Sequence, residues 1–483
     1  MMSISARGKT YCAMLLLLIA GSILRLYGLG KQPLWNDELD SWWRSRPATV
    51  SNIVARVVES DMHPPLYAIL LHQTTKYFGD SEFAMRLPSA IAGILSIGAL
   101  FLLALYLYSL KEAVISSLFL AVTWTGVYYS QEARMYSILL LFVLLSTLCL
   151  AVISRAIINK SSIPKVASLC FLFTALVSAY LHYFGLFFSL LQISLIIILS
   201  IKKHKYAYAV LMTMCFVGAY FPWLKYALSQ FHGAIGEIGW IKPMILLNSA
   251  GLVAFAFNGV KFLAVVIICA SPFFFIKLFK AQQQNRRSDL FIISWLVVPF
   301  LGVYIWSKLF YPIFTPRNMM IILPAVYLFV SRIIISLPVR LMLKWVIVAL
   351  IVAFLITDLV FIKKYYFRPD RDGFRQVADF ISKNSPQGVN MRIIGYLWQA
   401  DFMDYYLIRA GLSRRAELVA GRCGDISKLN DYLHKSGCAK FWYIYAHQPP
   451  DAEFVDFLMS NYRLVKGRVF AHSGAWLFNC SRQ

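Results

Sequence analysis

The sequence predicts a polytopic α-helical membrane protein with about eleven transmembrane helices and a C-terminal extracytoplasmic α/β domain. Three observations predict it. Long apolar runs follow one another up to residue 362, basic residues fall in alternate connections between them, and beyond 362 the pattern turns to short strands and amphipathic helices. Of the 483 residues, 59% are hydrophobic and 14% charged, against about a quarter charged in soluble domains. The mean hydropathy is +0.63.

A bilayer core needs about 20 apolar residues per helix. On that ruler the runs lie near 11–29, 88–108, 113–130, 136–153, 166–182, 184–201, 207–223, 249–276, 290–306, 319–336 and 342–362. If these spans alternate, the groups Arg7/Lys9, Lys111, Arg155/Lys160/Lys165, Lys202/Lys203/Lys205, Lys277/Lys280/Arg286/Arg287 and Arg332/Arg340 share one side. That side is expected to be the cytoplasm. The other side receives the loop 30–87, the turns at 131–134 and 182–183, and the segments 224–248 and 307–318. An odd number of spans places 363–483 there too. The expected division is 1–362, a membrane module carrying the outer loop 30–87, and 363–483, a soluble domain.

The soluble part reads as α/β. Phe374, Val377, Ala378 and Ile381 make a helical stripe. Strands are expected at 390–396, 417–420, 440–447, 463–472 and 475–480, with helices near 400–410, 425–435 and 451–461. At the other end, Arg7 and Lys9 precede an apolar run without a small-residue cleavage site, which reads as a retained first helix.

The formal charge of +24 fits cytoplasmic loops and anionic headgroups. Nucleic acid is not an expected partner, since neither a basic-aromatic platform nor zinc-finger spacing is present. Gly8-Lys9-Thr10 lacks the upstream glycine of a phosphate loop. Cys12, Cys149, Cys170, Cys215 and Cys269 lie in apolar runs and read as small core residues. Cys423, Cys438 and Cys480 fall in the polar tail, where one disulfide can form, with Cys423–Cys438 the simplest pairing.

The chemistry is concentrated just beyond the first span. In Trp35-Asn36-Asp37-Glu38-Leu39-Asp40-Ser41-Trp42-Trp43, three carboxylates sit among three tryptophans, at the depth where tryptophan settles between lipid and water. Partly desolvated carboxylates gain proton affinity and can act as bases. Every cytoplasmic loop is short, so a soluble nucleotide-binding domain has no place on that face. A transferase acting on the outer side needs its activated group delivered on a membrane lipid, and a polyprenyl-phosphate sugar meets that need.

In order along the chain, the sequence resembles the GT-C glycosyltransferases over roughly residues 10–340. The resemblance is carried by Trp35-Asn36-Asp37-Glu38-Leu39, His63-Pro64-Pro65-Leu66-Tyr67, Ser130-Gln131-Glu132-Ala133-Arg134-Met135-Tyr136, His182-Tyr183-Phe184-Gly185, Pro316-Arg317-Asn318 and Leu323-Pro324. The branch it looks most like holds bacterial aminoarabinose transferases and protein O-mannosyltransferases. It implies a GT-C fold and inverting transfer of a sugar from a polyprenyl-phosphate donor to an outer acceptor: lipid A, another glycolipid, a cell-envelope glycan or a protein. The family usually has Arg-Tyr where this chain has Arg317-Asn318.

The resemblance implies that Asp37 is the catalytic base, taking the proton from the attacking hydroxyl. The alternative is a solvated acid paired with Arg44 or Arg46. Glu38 is expected to position the acceptor or bind a metal, with a structural ion pair as the plain alternative, and Asp40 reads as a capping or surface acid. Arg134 and Arg317, with Lys308 third, are expected at the donor phosphate, which suits a forked guanidinium; the competing reading is snorkelling. His63, held rigid before Pro64-Pro65, is expected at the substrate together with Tyr67, Glu132, Tyr136 and Tyr183; the tyrosines equally suit an interfacial belt. No cofactor is established by the sequence, and a divalent metal on Glu38, His63 and Glu132 is chemically reasonable. Arg25 is expected to snorkel, and His182 to be a satisfied polar residue in a turn.

A transporter or flippase is the alternative class. Such proteins carry charges or broken helices near the midplane, whereas these charges cluster at one rim. A non-enzymatic scaffold would leave the acid-tryptophan loop unused. The expected location is the bacterial inner membrane, with the site and tail on the periplasmic side.

Overall fold

The apolar runs fold as helices because no water is available at bilayer depth to satisfy a backbone that is not hydrogen-bonded to itself. The computed structural model describes residues 4–237, 241–243, 245, 248–280, 282–368, 371–385, 391–412, 416–418, 426, 429, 433 and 440–482. In chain order the helices begin with α1 (Ile4–Leu26), α2 (Asn36–Ser45), α3 (Val50–Ser60), α4 (Leu66–Phe78), α5 (Glu82–Leu107), α6 (Leu110–Val122) and α7 (Trp124–Tyr128). They continue with α8 (Tyr136–Ile158), α9 (Lys165–Leu181), α10 (Tyr183–Lys202), α11 (Tyr206–Glu237), α12 (Asn248–Ala256) and α13 (Lys261–Lys280). The last are α14 (Gln283–Leu309), α15 (Leu323–Ser336), α16 (Leu341–Thr357), α17 (Phe374–Asn384), α18 (Asp401–Arg409) and α19 (Ala452–Asn461). Five strands complete the chain: β1 (Met391–Tyr396), β2 (Ala416–Leu418), β3 (Lys440–Ala446), β4 (Tyr462–Phe470) and β5 (Ser473–Arg482).

Among the described residues, 9 helices are long and apolar enough to cross a membrane, and the pair α6–α7, bent by 64°, makes up to 10. The expected span 166–182 is α9, an apolar helix of 17 residues. Two expected spans are not straight. The run at 113–130 breaks at Thr123, whose extended backbone separates α6 from α7. The run at 249–276 breaks between α12 and α13, where Asn258 (φ 61°) and Gly259 (φ 79°) adopt left-handed backbone.

These two breaks satisfy each other. The Trp124 N–H donates to Asn258 Oδ1 at 2.6 Å and the Thr125 hydroxyl to the Phe255 carbonyl at 2.5 Å. The Tyr327 hydroxyl meets Thr123 Oγ1 at 2.7 Å and donates to the Ala256 carbonyl at 2.9 Å. Arg25, expected to snorkel, is instead fully buried at this junction. Its guanidinium donates to the carbonyls of Leu120 (2.8 Å), Ala121 (3.0 Å) and Gly126 (3.2 Å) and to Ser130 Oγ (3.1 Å). A broken helix leaves carbonyls without their own partners, and a buried arginine with five donors supplies them.

The chain forms two compact units: unit 1, Met1–Tyr27, Pro47–Leu70 and Arg86–Lys364, and unit 2, Gly28–Arg46, Leu71–Met85 and Tyr365–Gln483. A hydrophobic core of unit 1 joins Ile53 and Val57 of α3 to Ile153 of α8, Phe171 of α9, Ile196 of α10 and Phe216 of α11.

Unit 2 is built on a five-stranded sheet of order β2-β1-β3-β5-β4. β1 is parallel to β2 and β3, and β5 is antiparallel to β3 and β4. Alternation along β3 sends Phe441 and Tyr443 to one face, where they pack with Ile394, Phe454, Leu458 and Phe478. Trp442 meets Phe380 of α17 edge-on at 5.6 Å. The expected stripe Phe374, Val377, Ala378 and Ile381 is buried. The helix expected near 425–435 falls mostly outside the described residues. Cys480 is disulfide-bonded; Cys423 and Cys438, the expected pair, lie outside the described residues. Cys12, Cys170, Cys215 and Cys269, expected in the core, are exposed on their helices.

Candidate active site

In unit 2 the acid-tryptophan segment becomes α2. Its backbone turns helical at Asn36, so Asp37 and Glu38 lie in the first turn, where the helix dipole favours negative charge. The Glu38 carboxylate accepts the Trp35 N–H at 3.3 Å, one arm of a capping box. It also receives Arg371 Nη1 at 2.5 Å, and both side chains are buried, with 0% and 2% exposure. The next residue, Asp372, accepts the Asn36 N–H at 3.1 Å and contacts His447 Nδ1 at 3.1 Å. Glu38, expected among the acids that touch the reaction, is thus tied to the structure of the loop. Asp37 is partly exposed one position earlier. Asp40 pairs with Arg44 along the helix, and Arg46 lies over the Trp42 ring at 4.7 Å.

Further ties hold this segment within unit 2. The Leu34 N–H donates to the Tyr406 hydroxyl at 2.6 Å, and Trp42 Nε1 to Asp80 at 3.2 Å. The Tyr405 hydroxyl donates to the Asp80 carbonyl at 2.7 Å. Burial and the neighbouring Glu82 charge push the Tyr406 hydroxyl well above its usual range, so it remains a neutral donor and acceptor.

Unit 1 assembles a second cluster at the His182 break between α9 and α10. His182 caps α10: its Nδ1 accepts the Phe184 N–H at 3.0 Å, which puts the hydrogen of the neutral ring on Nε2. The ring lies edge-to-face with His63 at 4.8 Å and 5.9 Å from Tyr136. Burial pushes its pKa well below the usual histidine value, helped by His63, Arg134 and Arg317 and opposed by Asp61. His182 is therefore neutral at pH 7 while the charges of two arginines act on it. Its Nε2 is buried without a hydrogen-bond partner among the described residues, so the expected turn histidine is satisfied at Nδ1 but not at Nε2.

His63 follows the C-terminal end of α3, and its Nδ1 lies 2.7 Å from Asp61 Oδ1. Glu132 and Arg134 are buried in the turn before α8, at 1% and 6% exposure. The Ser89 hydroxyl donates to the Arg134 carbonyl at 2.9 Å, which fixes that turn. Gln131 anchors it from the other side, donating to the carbonyls of Arg25 (2.8 Å) and Tyr27 (2.9 Å). Arg317 is half-buried before the short turn Asn318–Ile322. The Asn318 amide donates to the Ile313 carbonyl at 3.3 Å and so holds the turn.

The expected tyrosines separate. Tyr136 is buried, its ring 5.4 Å from Tyr129 and next to His182. Tyr183 donates to Gln230 and accepts Trp223 Nε1 at 3.2 Å, and Gln230 reaches back to the Asp61 carbonyl at 2.8 Å. Tyr67 is buried in the first turn of α4. Tyr67 and Tyr136 are thus buried, whereas Tyr183 is half-buried. Lys308 is exposed on α14, its ammonium 5.7 Å from the Tyr304 ring.

Of the residues considered for a metal, Glu38 belongs to unit 2 and His63 and Glu132 to unit 1. Among the described residues no group of three or more His, Cys, Asp or Glu side chains is placed to hold an ion, and Glu38 and His63 have Arg371 and Asp61 as neighbours instead. Sequence reasoning missed Asp61, Gln230, Arg371 and Asp372. Asp61 had a readable signal, two positions before a rigidified histidine; the others act across long sequence separations.

Residues 62–225 match the family described as dolichyl-phosphate-mannose-protein mannosyltransferase. That stretch contains His63, Tyr67, Glu132, Arg134, Tyr136, His182 and Tyr183. No curated protein sequence matches the chain. Among solved structures the chain is similar to ArnT from Cupriavidus metallidurans bound to undecaprenyl phosphate, at 10% identity and TM-score 0.57, with 98% of each chain covered. The same enzyme in the apo state gives 11% identity and TM-score 0.57. The oligosaccharyltransferase of Archaeoglobus fulgidus tethered with an acceptor peptide is similar at 9% identity and TM-score 0.52, over 90% of this chain and 68% of that one. The chain is a multi-pass membrane protein with the fold of the GT-C superfamily of glycosyltransferases.

Proposed function

We propose that this protein is an inverting glycosyltransferase of the bacterial inner membrane, moving a sugar from a polyprenyl-phosphate donor to an acceptor on the periplasmic side. The carrying observation is the basic cluster around the buried His182 in unit 1. Arg134 and Arg317 act on a neutral His182 whose Nε2 is buried without a hydrogen-bond partner among the described residues, and Arg134 and His182 lie within residues 62–225, which match the mannosyltransferase family. Such a cluster suits a phosphate, which takes forked guanidinium donors. The similarity of the whole chain to an enzyme bound to undecaprenyl phosphate supports the same donor class here.

In this reading the acceptor hydroxyl attacks the anomeric carbon as the carbon–oxygen bond to the phosphate breaks. Asp37 takes the hydroxyl proton. The charge left on the departing polyprenyl phosphate is held by Arg134 and Arg317, with Lys308 third, and Glu132, His63, Tyr67, Tyr136 and Tyr183 bind the sugar and acceptor. Glu38 acts through Arg371 as a positioning residue for Asp37. The acceptor class is a lipid A, glycolipid, cell-envelope glycan or protein hydroxyl. Mass spectrometry of envelope glycolipids and glycans from cells with the gene, without it, and carrying Asp37→Asn tests the reading. A sugar modification that needs the gene and disappears with Asp37→Asn, at unchanged protein level, is expected. A modification that persists in the variant removes the proposed base.

A further inference from the structure

We propose that unit 1 carries, at its opposite end, a binding seat for an anionic membrane phospholipid between α5, α8, α10 and α14. A cavity of about 290 Å³ opens there, at the C-terminal ends of α5, α8 and α10 and the N-terminal part of α14. Volumes of about 300–1,000 Å³ enclose whole small ligands, so this one suits a headgroup phosphate and the first methylenes of its chains. Arg155 and Arg287 line it. Arg155 is held in place, its guanidinium 4.1 Å from the Tyr106 ring and one N–H on the Tyr106 carbonyl at 3.2 Å. Ser154 Oγ, on the same wall, is buried without a hydrogen-bond partner among the described residues.

The remaining wall is apolar, from Leu199 on α10 to Phe291 on α14. Two guanidiniums and a hydroxyl match a phosphodiester, and the apolar wall matches an acyl chain, which free phosphate would leave unused. The surroundings select against a headgroup that brings its own ammonium: Lys160, Lys202, Lys203 and Arg286 all sit in the adjoining helix ends and loops. Basic pockets between membrane helices are the usual seats of anionic headgroups. Along α8 the seat lies about 28 Å from Tyr136, at 1.5 Å per residue, so it is separate from the His182 cluster and does not depend on the proposed activity.

The test is binding of dioctanoyl-phosphatidylglycerol, dioctanoyl-phosphatidylethanolamine and inorganic phosphate to the purified full chain in an uncharged detergent. The glycerol lipid should bind more tightly than the other two, with affinity falling as salt is raised. Arg287→Gln should weaken it roughly fivefold, as should Arg155→Gln. Ser154→Phe, which fills the cavity, should abolish it, and the melting midpoint of each lipid-free variant reports whether it folds. Equal binding of the two lipids overturns the proposal, as does phosphate binding as tightly as the lipid. Unchanged affinity in a folded Arg287→Gln and Ser154→Phe overturns it too.

Discussion

Removing either member of the Glu38–Arg371 pair should destabilise unit 2 more than removing both. The two charged groups meet at 2.5 Å with side-chain exposures of 0% and 2%, so neither can recover its hydration when the other is lost. Breaking such a buried pair from one side costs about 3–5 kcal/mol, and at ~2–4 °C per kcal/mol for a unit of this size the melting midpoint should fall by on the order of 10 °C. Glu38→Ala also removes the acceptor for the Trp35 N–H, so it should be the worse of the two single changes. Glu38→Leu combined with Arg371→Met places apolar groups on both sides and should recover much of the loss, a coupling of about 2 kcal/mol. The assay is intrinsic-tryptophan melting of the purified chain for the wild type, both singles and the double. Singles that leave the midpoint unchanged, or a double whose loss equals their sum, would refute the reasoning. Glu38 would then be available for chemistry instead.

Three further outcomes are expected. Between the lowered pKa of folded His182 and its usual value of 6.5, the unfolded chain binds a proton that the folded chain does not. Stability should therefore fall as pH drops below about 6.5, by up to ~1.4 kcal/mol per pH unit; melting midpoints across pH should show this slope, and His182→Asn should remove it. A Cβ on Gly185 would lie 2.1 Å from the Ser178 carbonyl oxygen, so Gly185→Ala must push α9 from α10 beside the His182 break. It should cost at least about 1–3 kcal/mol in thermal melting. Arg332 bridges Asp289 (2.9 Å) and Glu112 (2.9 Å), both buried; Arg332→Met strands two carboxylates and should lower the midpoint more than Asp289→Asn, which removes one of them.

The spans were legible because bilayer thickness imposes a length that composition alone reveals, and the tail strands because alternation shows one buried face. β3, expected at 440–447, is Lys440–Ala446. The breaks were harder to read. Asn258-Gly259 is a turn dipeptide, but it sits within a long apolar run whose hydrophobicity outweighs a two-residue signal. Arg25 reads as a terminal charge until its acceptors, about 100 residues later, are known. In the candidate site, His63 and Arg134 were readable in the sequence as motif residues, while His182 read as a satisfied turn residue. The partners that fix them were not, because Arg371 reaches Glu38 across 333 positions and Gln230 reaches Asp61 across 169. Pairings of that kind are decided by the fold, and local pattern carries no trace of them.

Arg25 also sets an order on how the protein is made. Its acceptor carbonyls and Ser130 Oγ lie 95 to 105 residues further along the chain. When α1 leaves the ribosome none of them exists, and a bare guanidinium in a bilayer is unfavourable by at least about 2.5–3.5 kcal/mol. At roughly 5–20 residues per second, the nascent helix waits several seconds with this end held at the headgroups. It completes its insertion only when α6 and α7 arrive to receive the arginine. Helix α1, although made before α6 and α7, is thus expected to reach its final depth only after them.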